Sequence, residues 1–260
     1  MNWFEALILG IVQGLTEFLP VSSSGHLELG KHLFGIDAES NFYYTIAVHG
    51  ATVLSTLVVF RKEIVDIFRG LFRFRYNEET EYTVKLIISM IPVGVAGFLF
   101  KDFFENMFNG NMIALGVQFI ITAGLLFLTL LFRPGVRPIG YLDSFIIGIA
   151  QAIAVVPAIS RSGATIAAGL MLGNRKEEIA RFSFLMVLVP VIGANLMEFT
   201  SKGSQHSDAG VGVIVLGFIS AFIAGYFACK WMVELVKRSK MTWFAIYCAA
   251  AGIFSIILGL

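Results

Sequence analysis

The chain repeats itself. Residues 8–25 read ILGIVQGLTEFLPVSSSG and residues 146–163 read IIGIAQAIAVVPAISRSG. At a constant offset of 138, Ile8, Gly10, Ile11, Gln13, Ser22, Ser24 and Gly25 match Ile146, Gly148, Ile149, Gln151, Ser160, Ser162 and Gly163. Three of these seven identities are Gln or Ser, which shared hydrophobicity does not explain. A weaker match pairs IPVGVAG (91–97) with ISAFIAG (219–225), and its offset of 128 also pairs Gly124 with Gly252. The expected organisation is two copies of one unit, 1–132 and 133–260.

Each unit carries three long apolar segments: about 42–60, 84–100 and 112–132, then 182–200, 211–229 and 242–260. Their lengths suit spans of a bilayer core roughly 30 Å thick. The composition agrees, with 57% apolar and 14% charged residues and a mean hydropathy of +0.81. Soluble domains carry about 25% charged residues. The continuous apolar runs argue against a transmembrane β-barrel, whose strands alternate. A net charge of +1 without a basic stripe argues against nucleic-acid binding. Cys229 and Cys248 lack metal-ligand spacing and read as buried small hydrophobes. No Lys or Arg precedes Lys31, so the basic region of a signal peptide is missing.

The repeated stretch itself is different. Its first arm, about 4–19, is 16 residues long, roughly 24 Å as a helix and too short to span. A Pro/Ser/Gly break and a second short arm, about 25–35, follow. The second unit does the same at about 144–156 and 163–173. Short broken segments at matching positions point to re-entrant hairpins and a binding site. The expected fold is therefore an all-α integral membrane protein, an inverted-topology repeat of six transmembrane helices plus two re-entrant helical hairpins. Three crossings per unit invert the second copy. Counted this way, 15 of 19 basic residues fall on one face, which the positive-inside rule makes cytoplasmic. Lys31, Lys101 and Lys202 fall on the other, and the N-terminus and first hairpin are expected outside. The remaining basic residue, Arg161, lies inside the second break.

Polar groups inside hydrocarbon are costly and usually functional. The first break gathers Gln13, Glu17, Ser22, Ser23, Ser24, Gly25 and His26; the second gathers Gln151, Ser160, Arg161, Ser162, Gly163 and Thr165. Arg161 keeps its charge and offers five donors in a fork that suits phosphate. Each Ser-rich break leads into a short helix, whose free N–H groups favour an anion. Gln13 and Glu17 share one helix face at i, i+4. Glu17 has three candidate roles: base, partner of a histidine, or oxygen ligand of a hard cation such as Mg²⁺ or Ca²⁺. His26 is a candidate proton shuttle. The other polar residues read as ordinary: Glu28, Lys31 and His32 near the outer interface, Asp143 near a span end, loop 61–85 as a solvated cytoplasmic connection. His49 lies within a span with no partner evident in the sequence, and Trp3, Trp231 and Trp243 suit interfacial belts.

QGLTEFLPVSSSGHL (13–27) and PAISRSGAT (157–165) closely resemble the two signature motifs of the undecaprenyl-diphosphate phosphatases, the bacitracin-resistance family, and the resemblance covers essentially the whole chain. It implies an integral-membrane enzyme of the bacterial cytoplasmic membrane that removes the terminal phosphate of a polyprenyl diphosphate, with a divalent cation, and so recycles a cell-wall lipid carrier. It implies that Glu17, Ser23, His26 and Arg161 are catalytic and that Gln13 belongs to the glutamate-rich element. Some members have Glu where this chain has Gln13, which bears on any second carboxylate for a metal. In the second copy Val155 and Ala164 stand where the first has Glu17 and His26, so the duplicated site is chemically asymmetric. Gln13, Ser22, Ser24, Gly25, Ser160, Ser162, Gly163 and Thr165 are the expected substrate and phosphate contacts. The acid-phosphatase-like lipid phosphatases are excluded: they need a histidine six residues after the arginine, where this chain has Ala167. The rival reading is a transporter or flippase of an anionic lipid, since inverted repeats with broken helices are also a carrier design. The expected partners are the prenyl diphosphate and the bilayer; oligomeric state is open, a homodimer included.

Overall fold

The computed structural model describes residues 1–36, 41–99, 111–132, 135–202, 209–238 and 241–260. Among them the regular structure is helical. The first repeated stretch forms α1 (Trp3–Phe18) and α2 (Ser23–Phe34). Then come α3 (Phe42–Val59), α4 (Arg61–Leu71), α5 (Glu78–Leu99) and α6 (Met112–Leu128), the last extended by a 3₁₀ turn at Thr129–Leu131. The second stretch forms α7 (Tyr141–Ile153) and α8 (Arg161–Met171), followed by α9 (Lys176–Lys202), α10 (Val211–Arg238) and α11 (Thr242–Leu258).

Among the described residues five helices are long and apolar enough to cross a membrane: α3, α5, α6 with its 3₁₀ turn, α9 and α10. The segment expected as the last span is the shorter α11, 17 residues long, at the lower limit of roughly 17–25 residues for a crossing. The chain is an all-helical, multi-pass membrane protein. Trp3, Trp231 and Trp243 are exposed, as belt side chains would be.

The short arms come out as expected to within a few residues, and both have capped starts. Asn2 and Glu5 form a reciprocal cap on α1, with Glu5 N–H donating to Asn2 Oδ1 at 2.9 Å and Asn2 N–H to Glu5 Oε2 at 2.7 Å. At the same offset of 138, Asp143 holds the start of α7. Its carboxylate accepts from Gly140 N–H at 2.9 Å, Asn174 Nδ2 at 3.0 Å and Arg137 Nη2 at 2.8 Å. Asp143 is thus buried, tying the base of the second hairpin shut. Lys31, expected near an interface, is buried as well: its Nζ turns back to Glu28 Oε1 at 3.0 Å, while His32 is exposed.

Helix pairs touch through glycines. Gly10 and Gly14 bring α1 onto the backbone of α10, and Gly148 brings α7 onto Ser89 of α5. Such contacts suit membrane helices, which associate by close packing of small residues. Further packing joins α6 with α11, α3 with α10, and α9 with both α3 and α5. Residues 179–186 of α9 are buried on every side except at Arg181, because this part of the helix runs through the main core with Phe18, Leu126, Ile147 and Ile166. One expectation fails at loop 61–85. Its first part is α4, whose Ile64 and Ile67 pack on the core while Val65 and Phe68 stay exposed. The five charges of residues 61–69 mask an amphipathic helical pattern.

Candidate functional site

Pro20 and Pro157 prevent either broken helix from simply continuing. α1 stops at Phe18, and Leu19 is already extended. α2 then starts from Ser22, whose Oγ accepts from Gly25 N–H at 3.2 Å. In the second break Ser160 caps α8 in the same manner, accepting from Gly163 N–H at 3.0 Å. Each break also forces one non-glycine residue into the left-handed region, Ser22 at φ 71° and Ala158 at φ 57°. Such conformations cost about 1–3 kcal/mol and persist where the surroundings enforce them. At Ser22 the enforcement is visible. His26 Nδ1 donates to the Ser22 carbonyl at 2.7 Å, and its Nε2 lies 2.8 Å from Tyr247 Oη. Because the carbonyl can only accept, neutral His26 carries its proton on Nδ1, so Nε2 accepts from the Tyr247 hydroxyl. The imidazole also stacks on Tyr247 and meets the Phe119 ring edge-on.

The two breaks touch. Ser162 Oγ donates to the Leu19 carbonyl at 3.2 Å, and Arg161 Nη2 reaches Glu17 Oε1 at 3.3 Å. Glu17 Oε2 accepts from Ser23 Oγ at 2.5 Å and from Gln13 Nε2 at 2.9 Å. Ser23 and Arg161 are related by the offset of 138 and are each the first residue of the helix after the break. The capping serines take the Gly25 and Gly163 amides, leaving those of Ser23, Ser24, Arg161 and Ser162 with no acceptor among the described residues.

Glu17, Ser22, Ser23, Ser24, Ser160, Arg161, Ser162 and Thr165 line one cleft, which is also walled by α3 and α9. Polar donors gather at the breaks, and Val53, Val187, Leu188 and Val191 supply apolar wall. A carboxylate holding a serine hydroxyl, beside a partly exposed guanidinium and free amides, can activate an oxygen nucleophile and neutralise an anion.

Gln13, Glu17, Ser23 and Arg161 are therefore brought together. His26 is not: it shares no hydrogen bond with Glu17 and is absent from the cleft wall. Its bonds fix the backbone at Ser22 instead. Gly25 packs against the Phe119 ring, which a Cβ would approach to 2.7 Å. Thr165 has turned its hydroxyl back to the Arg161 carbonyl at 2.9 Å. His49 lies on α3 within electrostatic range of Glu17, with its Nδ1 on the Thr45 carbonyl at 2.9 Å. Sequence reasoning missed Tyr247 and Thr122. Thr122 Oγ1 accepts from Ser160 N–H at 3.1 Å. Single hydroxyls in apolar spans carry no pattern that distinguishes such contacts.

The oxygen donors fit a hard divalent cation. Gln13 Oε1 is buried without a hydrogen-bond partner among the described residues, one turn from the Glu17 carboxylate. Among the described residues no three His, Cys, Asp or Glu cluster to form a closed site. One carboxylate, a carbonyl oxygen and substrate phosphates match the open coordination usual for Mg²⁺.

The junction of two broken helices, set among membrane-length apolar helices, defines a multi-pass membrane protein with an internal polar cleft. Comparison with known proteins narrows the class. The family model described as Bacitracin resistance protein BacA matches residues 6–254, and the chain belongs to that family. It is 52% identical over 260 residues to an undecaprenyl-diphosphatase of Parabacteroides distasonis, covering 98% of both chains. It is 50% identical to one of Bacteroides thetaiotaomicron, covering 99% of both, and 39% identical to one of Carboxydothermus hydrogenoformans, covering 99% and 98%.

Proposed function

We propose that this chain hydrolyses undecaprenyl diphosphate to the monophosphate and inorganic phosphate. Relatives that match it end to end are named for that activity. The observation that carries the reading is the Ser23–Glu17–Arg161 contact inside the cleft. Ser23 Oγ attacks the terminal phosphorus while its proton passes to Glu17 Oε2. The bond from that phosphorus to the bridging oxygen breaks, and the lipid monophosphate leaves. Glu17 passes that proton to the departing lipid monophosphate and, a carboxylate again, takes one from the attacking water; the Ser23–phosphate bond breaks, phosphate leaves, and the proton returns to Ser23 Oγ. Arg161 and the free amides of α2 and α8 neutralise the equatorial oxygens. Glu17 and Gln13 would hold a divalent cation, Mg²⁺ or Ca²⁺, which when bound supplies charge neutralisation to the diphosphate. A carrier needs the Arg clamp but no serine hydroxyl on a carboxylate, so the flippase reading is not favoured.

The inverted repeat of six spans and two re-entrant hairpins belongs to the same proposal. Packing supports it: α1 packs on α10 as α7 packs on α5, α3 on α10 as α9 on α5, while α3 meets α9 and α6 meets α11. Exchanging the two units maps this set of contacts onto itself. The protein would lie in the bacterial cytoplasmic membrane with its N-terminus outside and its cleft opening outward. The test uses purified protein and undecaprenyl diphosphate. Wild type should release phosphate, Ser23→Ala should be inactive, and acid quenching should trap phosphoserine at Ser23. Phosphate release by wild type with no phosphoserine would move the attack to water.

A further inference from the structure

Serine and threonine inside a helix ordinarily donate their hydroxyl to a carbonyl one turn back. Thr16, Ser55, Thr56, Ser89, Ser144 and Thr165 all do so here, at 2.7–3.0 Å. Ser183 on α9 does not. It is 2% exposed, and its Oγ is buried with no hydrogen-bond partner among the described residues. A buried hydroxyl without an acceptor is destabilising, and each case calls for an explanation. Ser183 also lines the same cleft as Arg161 and Thr165, and Thr165 has already turned its own hydroxyl onto the Arg161 carbonyl.

The same face of α9 continues through Val187 and Val191, at i+4 and i+8, and both line the cleft with Leu188. This wall is therefore polar at one end and apolar along the rest. A lipid diphosphate has a matching order: chain, lipid-linked phosphate, terminal phosphate. With the terminal phosphate at Ser23 and the chain along Val187 and Val191, the lipid-linked phosphate falls beside Ser183. We infer that Ser183 donates its hydroxyl hydrogen bond to the lipid-linked phosphate and stabilises the charge that gathers there as the monophosphate leaves. This inference rests on the proposed hydrolase reading. When the phosphoanhydride bond breaks, its electron pair stays on the bridging oxygen. Ser183 keeps its proton throughout.

The test measures hydrolysis of farnesyl diphosphate by the purified full chain, with farnesyl phosphate and inorganic phosphate as product inhibitors. Ser183→Ala should lower kcat about tenfold and raise the inhibition constant of farnesyl phosphate about tenfold, as expected for losing a hydrogen bond to a charged group. The inhibition constant of inorganic phosphate should stay at its wild-type value, and the thermal midpoint should hold or rise, because the hydroxyl removed has no acceptor among the described residues of the free protein. Ser183→Cys, nearly the same shape but a weak donor, should behave like Ser183→Ala. Full rescue by Cys would show a packing role and overturn the inference. So would a lowered thermal midpoint in both variants, a weakened effect of inorganic phosphate, or unchanged inhibition by farnesyl phosphate. Wild-type protein that releases no phosphate would instead remove the hydrolase reading itself.

Discussion

Among the described residues the Arg161 guanidinium makes one hydrogen bond, Nη2 to Glu17 Oε1, and the side chain is 31% exposed. The rest of the guanidinium is left for a ligand. Lysine keeps the charge but loses the planar fork. Arg161→Lys is expected to cost about 2–4 kcal/mol of transition-state stabilisation, roughly 30- to 1000-fold in kcat/KM. Steady-state kinetics at saturating metal would check it, and near-normal turnover would reduce Arg161 to a diffuse charge. Glu17 and Gln13 allow a second test. If this face binds the cation, Glu17→Gln should raise the metal concentration needed for half-maximal activity, and Gln13→Glu should lower it by adding an anionic oxygen one turn away. Metal titration of both variants reads this directly; an unchanged requirement in both would eliminate ligation here. The grouping of Glu17, Ser23 and Arg161 was legible in the sequence because charged and hydroxyl residues stand out inside apolar runs. The separation of His26 from Glu17 was not. Nine residues of spacing across a helix break do not say which way an imidazole turns, and its anchor, Tyr247, lies 221 positions away.

The hairpin arms work only if α1 can lie close against α10. A Cβ on Gly14 would come within 2.5 Å of the Ala221 carbonyl and 2.7 Å of Gly225 N. Gly14→Ala should therefore push α1, and Glu17 one turn further on, out of register, costing about 1–3 kcal/mol in stability. Gly97→Ala is the control, since a Cβ there meets nothing within 4 Å among the described residues. Thermal unfolding in detergent together with turnover should fall for the first variant and hold for the second. The arm boundaries were readable because Pro20 and Pro157 limit where a helix can run. α4 was not, since Arg61, Lys62, Glu63, Asp66 and Arg69 dominate its composition while its apolar residues recur at helical spacing.

Across the whole molecule, the duplicated motif and the spacing of apolar runs foretold an all-helical membrane protein with broken helices. The side-by-side arrangement of helices was beyond reach, because apolar spans carry little information about their neighbours. The inverted arrangement has a direct check. In a background lacking Cys229 and Cys248, single cysteines at Arg75 and Gly210 should react with impermeant reagent from opposite sides of the membrane, Arg75 from the cytoplasm and Gly210 from outside. Labelling of both from one side would end the three-plus-three scheme. The equivalence of Ser23 and Arg161 carries one more consequence. An assembly of two identical short polypeptides would place the same residue type at both positions, giving either two hydroxyls and no cation or two guanidiniums in mutual repulsion. On one continuous chain the positions are encoded separately, and each can change without its counterpart. The pairing of a hydroxyl with a cation across the two junctions is therefore something two identical copies could not provide.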